Sequence, residues 1–174
     1  MAKTQNGWTA LVEDSALLHI WEIPTRSGVR RLKLRNGSAG FILCHFAYWL
    51  SDKVEPIATG QLDDWGYAYR PIRGDDDLSN HASGTAVDLN ALQHPLGVEG
   101  TWTKDEKAAM RRRLEVYRGC IRAGFDYRGR VDPMHFEINR NMTACENVAR
   151  SLMTTTRGRK LLEENLGQRA VILS

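Results

Sequence analysis

Ser79-Asn80-His81-Ala82-Ser83-Gly84-Thr85-Ala86-Val87-Asp88-Leu89-Asn90 holds a strand and two candidate ligands within twelve residues. Its second half, from Thr85, reads as a strand of small and apolar residues. Side chains alternate across a strand, so Asp88 points away from the face carrying Val87 and Leu89. A carboxylate buried there without a partner is costly, and a nearby cation offsets that cost. In the first half, His81 is followed by Ala, Ser, Gly, Thr and Ala, small residues that let backbone pass close to a metal or a substrate.

Further along, Asp132-Pro133-Met134-His135-Phe136-Glu137 places a second imidazole in apolar company, with a spare carboxylate three residues before it. Phe136 and Ile138 flank Glu137, which reads as a second strand. Two histidines and one aspartate make three protein ligands and leave zinc's fourth position open for water. Water on zinc ionises with a pKa of about 7, so hydroxide becomes available for attack on a carbonyl. Asp132 is placed to take the proton and deliver it to a leaving amine. The competing reading of Asp132 is a turn former ahead of Pro133.

Outward from these two segments the chain reads as strands and helices. Residues 17–35 predict strands joined by a turn at Pro24 to Gly28, with Arg31 to Arg35 alternating polar and apolar. A helix is predicted from near Ser38 to about Lys53, with Phe41, Cys44, His45, Tyr48 and Trp49 on or near one face. Asp63 to Arg70 reads as a loop entering a short strand, and Gly74 to Asp77 as a solvated loop. Thr103 to Glu106 is a capping box, after which Met110, Leu114, Tyr117 and Ile121 form a stripe ending before Gly124. Thr143 to Glu146 is a second capping box, opening a helix to about Thr156, with a short helix over Lys160 to Leu166. The expected class is α+β: one domain over residues 1–174, with a small antiparallel sheet flanked by helices.

Composition narrows the function classes. The 174 residues suit one domain, and 42% hydrophobic with 26% charged residues is ordinary for a packed chain. A net charge of +3 suits an anionic partner, whether nucleic acid or a bacterial wall. Arg111-Arg112-Arg113 reads as a solvated helix face, and no zinc-finger or RNA-binding pattern appears, so no nucleic-acid partner is expected. Cys44, Cys120 and Cys145 form no CxxC pair and read as buried free thiols, Cys44 and Cys120 within helix patterns. The first eight residues lack an apolar signal core, and Gly40 to Leu50 is too short to span a bilayer. The expectation is synthesis in a cytoplasm without an export signal and no stable membrane association.

His19 and His45 read as core or surface residues, and His94, beside Pro95, as a loop histidine. Glu137 shares His135's side of the strand and orients that ring, lines the groove or is a simple strand carboxylate. Trp65, Tyr67 and Tyr69 line a substrate groove or belong to the core.

The pattern Ser-x-His-x-x-Gly-x-Ala-x-Asp at Ser79 to Asp88, followed by an acid three residues before His135, resembles the zinc D-Ala-D-Ala carboxypeptidase and L-alanyl-D-glutamate endopeptidase family. Over about residues 30–140 the chain looks most like the peptidase domains of endolysins from phages of mycobacteria. The resemblance implies a hedgehog/DD-peptidase-like sheet holding Zn2+ through His81, Asp88 and His135, with Asp132 as general base and acid. It also implies Arg70 as a substrate-holding or carbonyl-polarising residue, and Ser79 as a substrate-site residue that supports the ligand loop. Family members often carry Glu at the Asp132 position, while Asp is usual in the phage endopeptidase branch.

The implied activity is hydrolysis of the L-Ala-D-Glu bond of the peptidoglycan stem peptide by zinc-bound hydroxide. A D,D-carboxypeptidase and a non-catalytic zinc-stabilised wall-binding module are the alternatives. An endolysin would wait in the host cytoplasm until a holin-like pore lets it reach the wall.

Overall fold

Two antiparallel sheets share the packing of one central helix. The computed structural model describes residues 2–57, 62–70 and 77–174. β1 (Leu18–Thr25) and β2 (Gly28–Arg35) pair from Leu18↔Arg35 to Thr25↔Gly28 as the expected hairpin. The second sheet is assembled from distant segments: β3 (Ala86–Asp88), β4 (Ile121–Ala123) and β5 (His135–Ile138), in the order β3-β5-β4.

α1 (Gly37–Lys53) begins and ends within a residue or so of expectation, but it does not pack by one face. Of its 17 residues 14 are buried, so it is a core helix enclosed by its neighbours rather than an amphipathic one. It packs on β1 and β5 and on α3 (Met142–Leu152), α4 (Thr156–Glu164) and α5 (Gln168–Leu173).

The second sheet follows the alternation rule. Val87, Phe136, Ile138, Ala123 and Ile121 occupy one face through the pairs Val87↔Phe136, Ala123↔Phe136 and Ile121↔Ile138. That face meets α1, with the rings of Phe46 and Phe136 4.7 Å apart. The opposite face carries Asp88, His135, Glu137 and Arg122, through Asp88↔His135 and Arg122↔Glu137. One face of the sheet is therefore core, and the other is chemistry.

Several expectations needed correction. α2 (Lys104–Glu115) starts at Thr103 with the expected capping box, but it stops well before Ile121. Arg118 (φ 51°) and Gly119 (φ 77°) adopt left-handed backbone, which ends the helix. Tyr117, Cys120 and Ile121 still face the core from the turn and from β4, so the apolar stripe outlives the helix. Cys120 is thus outside any helix, although all three thiols are free and buried as expected. The cap of α3 is Asn141, whose side chain accepts from Ala144 N at 3.1 Å, and not Thr143. The C-terminus holds two short helices where one was expected.

Asp63 to Arg70 contributes a bridge at Trp65 instead of a strand. Arg111 lies on a solvated face and pairs with Asp126 at 2.6 Å. Arg113 is half-buried, its guanidinium over Trp49 and Tyr117. Of the expected loop at Gly74 to Asp77, residues 74–76 lie outside the described residues and Asp77 is an exposed bend.

Candidate metal centre

His81 sits on a short 3-10 turn, Asn80–Ser83, leading into β3. Ser79 caps that turn, its hydroxyl accepting from His81 N at 3.3 Å while its own N–H donates to Arg70 O at 3.2 Å. Ser79 is therefore placed as support for the ligand turn. Gly84 closes the turn with φ 65°, where a Cβ would lie 2.6 Å from Arg35 N, so only glycine fits between turn and hairpin.

Asp88 and His135 face each other across the β3–β5 pair, and neither backbone amide bonds to the other residue. Such non-hydrogen-bonded pairs bring side chains closest together. His135 Nδ1 lies 2.8 Å from Asp88 Oδ1, and His81 Nε2 lies 3.2 Å from that same oxygen and 3.3 Å from His135 Nδ1. All three residues are buried.

The outer nitrogens of both rings are already engaged. His81 Nδ1 donates to Gly66 O at 2.6 Å, and His135 Nε2 donates to Glu137 Oε2 at 3.1 Å. Each ring is thereby held as the tautomer whose remaining lone pair points at the shared centre. Two imidazole lone pairs and a carboxylate converging within hydrogen-bond distance repel one another unless a cation lies between them.

Tetrahedral zinc with ligands at about 2.0–2.1 Å needs donors about 3.3 Å apart. Two of the three separations match that spacing, and the third is about half an ångström short. The trio could therefore hold a metal ion.

Without an ion the three groups hold each other through protons. Burial opposes charge on Asp88, but the two histidines prevail and hold its carboxyl well below the usual range. Burial likewise disfavours charge on His135, while its bonds to Asp88 and Glu137 overcome this and raise its pKa.

Glu137 is itself fixed. Arg122 donates to Oε1 through both Nε, at 2.7 Å, and a terminal nitrogen, and Asn80 Nδ2 donates to Oε2. Of the three sequence readings of Glu137, its burial and its bond to His135 favour the orienting one. Asn80 and Arg122 were not singled out from sequence. Arg122 stands opposite Glu137 across β4 and β5, and Asn80 reaches it from the 3-10 turn.

Asp132 stands beside this centre. Its N–H donates to Gly124 O at 3.0 Å and its carbonyl accepts from His135 N at 3.1 Å. A Cβ at Gly124 would lie 2.2 Å from Asp132 O, so this close approach depends on glycine. Asp132 Oδ1 is buried and has no hydrogen-bond partner among the described residues. Burial, reinforced by the charge of Asp88, raises the Asp132 pKa against the pull of His135, His81 and Arg70. A carboxyl shifted upward beside a metal-type donor set suits proton transfer. Arg70 is exposed, close enough for its charge to be felt at Asp132.

Trp65 extends the row. It exchanges both backbone hydrogen bonds with Asp88, each 2.9 Å, so Trp65, Asp88 and His135 project from one face. Its indole is 57% exposed and Tyr69 is 58% exposed, so both belong to the surface beside the centre rather than to the core. Tyr67 is half-buried, its hydroxyl donating to Leu11 O at 2.7 Å.

The remaining histidines lie elsewhere. His94 is buried, stacked on Trp102 and bonded to Thr101 and Glu55. His45 is in the core, and His19 is half-buried beside Asn165.

A model of a family described as D-alanyl-D-alanine carboxypeptidase matches residues 73–138. That span contains His81, Asp88, Asp132 and His135, and ends at the last residue of β5. No curated protein and no solved structure matches the chain. The match, with the donor trio, supports a zinc metallopeptidase acting on peptidoglycan peptides. Among the described residues no helix is long and apolar enough to cross a membrane.

Proposed function

We propose that this protein is a peptidoglycan endopeptidase of the endolysin type that hydrolyses the L-Ala-D-Glu bond of the stem peptide. The observation that carries the reading is the convergence of His81 Nε2, Asp88 Oδ1 and His135 Nδ1, with both outer ring nitrogens anchored and Asp132 alongside. When bound there, zinc supplies a Lewis acid that polarises a carbonyl and brings the pKa of water to about 7.

The chain's own residues do the rest. Asp132 accepts the proton of the attacking water and returns it to the leaving amine, a role worth about 10²–10⁴ in rate. Glu137 keeps His135 in its ligating tautomer, and Arg70 steadies the substrate carbonyl. The exposed faces of Trp65 and Tyr69 form a wall for an extended peptide. Aspartate at 132, usual in the phage branch that the sequence resembles, favours the endopeptidase. Action on the wall follows release through a pore formed by another protein.

The description of the matched family favours a second reading, removal of terminal D-Ala. Digestion of purified muropeptides followed by mass spectrometry separates the two. Fragments cut between L-Ala and D-Glu are expected, and release of free D-Ala alone would overturn the endopeptidase assignment. Asp132→Ala tests the catalytic role: lysis of cell walls falls at least about a hundredfold while zinc stays bound. Undiminished lysis by that variant with zinc still bound would overturn the proton-transfer role of Asp132, whereas zinc-loaded wild type that binds walls without lysing them would be a wall-binding module without this chemistry.

A further inference from the structure

Next to Asp132 lies a cavity of about 520 Å³ that the metal centre does not use. Its floor is apolar, built from Trp102, Phe125, Val131 and Pro133, with Lys104 and Lys107 at its edge. Val131 and Pro133 are the chain neighbours of Asp132, and Phe125 follows the Gly124 against which Asp132 packs. The cavity and the proton-transfer group therefore share a wall. That wall is firm, because Trp102 Nε1 donates to Pro133 O at 2.9 Å and Gly97 N donates to Val131 O at 2.8 Å.

The two lysines are three residues apart on α2, so they stand on one face a turn apart. Neither makes an ion pair within 4.0 Å among the described residues, and Lys107 Nζ rests 6.0 Å from the Phe125 ring centroid. The nearby acids are mostly engaged: Glu106 closes the capping box with Thr103, and Asp126 pairs with Arg111. Among the described residues only Glu99 adds a negative charge to the lining, so the cavity carries a cationic excess over an apolar base. A group with a short aliphatic part and a carboxylate fits both features.

Resting on the peptidase reading above, we propose that this cavity is a substrate subsite that takes the free carboxylate of an acidic residue of the stem peptide, held by Lys104 and Lys107. The subsite sets specificity by charge, since a carboxamide of the same shape loses the attraction to both ammonium groups.

The test compares acetyl-L-Ala-γ-D-Glu-L-Lys-amide with the same peptide bearing a carboxamide in place of the D-Glu α-carboxylate. Zinc-loaded wild type is expected to show a KM about fivefold lower for the carboxylate peptide, an effect that weakens with salt. In the double variant Lys104→Gln/Lys107→Gln the ratio of the two KM values falls to about one. A double variant that keeps the wild-type ratio would overturn the proposal.

A second readout needs no turnover: the Trp102 indole N–H signal in NMR, which reports on the cavity floor. It is expected to move on adding the carboxylate peptide to wild type and to stay still in the double variant. If wild type cuts neither peptide, the endopeptidase reading fails, and the indole signal alone decides the subsite. No movement in wild type overturns it.

Discussion

His45 is buried in the middle of α1, and its bonds fix its protonation. Arg113 can only donate, so Nδ1 accepts and the ring proton sits on Nε2, which is buried without a partner among the described residues. Burial, with the charges of Arg113 and Arg157, lowers its pKa from 6.5 to about 3. Between those values the unfolded chain binds a proton that the native chain refuses, so stability rises with pH across that window. As pH falls from 6.5 toward 3 the native state loses up to about 1.4 kcal/mol per pH unit from this residue. His45→Asn keeps an acceptor near the Nδ1 position and removes the titration. Urea unfolding midpoints of that variant are expected to fall less steeply with acid than those of wild type; parallel slopes would clear His45 of the role.

Trp65 makes a different prediction at the same scale, because its exposed indole stands beside Asp88 without ligating anything. Trp65→Ala is expected to raise KM for muropeptides about tenfold, with zinc binding intact, as loss of an aromatic platform implies. Competition with a chromogenic chelator checks the second half of that statement.

At the scale of elements, β5 carries one donor of the trio and the carboxylate bonded to it, and its alternation explains why that pair was readable. His135 and Glu137 are two apart and so share a face, which made an orienting carboxylate one of three open readings. What selected it was Arg122 and Asn80 arriving from β4 and the 3-10 turn, long-range pairings that no local pattern encodes. The capped start of α2 was legible because Thr103 and Glu106 satisfy each other locally. Its end was not, because the apolar stripe continued through a turn at Gly119. The burial of α1 on all sides was hidden likewise, since it depends on three helices folding back from the far end of the chain.

Two predictions belong to these elements. Glu137→Gln removes the charge that holds the His135 tautomer and is expected to weaken zinc affinity about 10–100-fold, measurable by chelator competition. Gly124→Ala forces the Asp132 backbone away, because the new Cβ meets Asp132 O at 2.2 Å. A displacement of about 1 Å is expected to cost about a hundredfold in kcat, with zinc affinity little changed. Equal loss of both would mean that the whole sheet has moved rather than Asp132 alone.

For the whole molecule, the centre ties together parts of the chain that are far apart in sequence. His81 and Asp88 come from the segment before α2, and His135 comes from β5 after it. A cation bound among them stabilises the folded state and not the unfolded chain, in which the three donors are scattered. The linkage is then RT ln(1 + [L]/Kd), about 2.7 kcal/mol at a free concentration one hundred times Kd. For a chain of this size that corresponds to a Tm rise of roughly 5–10 °C over chelator-treated protein. The rise should grow with the logarithm of zinc concentration and vanish in His81→Ala, while a magnesium titration should leave Tm unchanged because magnesium prefers an octahedron of oxygens. Differential scanning calorimetry across a zinc series decides the matter: a Tm indifferent to zinc in wild type would mean that the converging donors are a proton-sharing cluster, and the metal-centred mechanism would go with it.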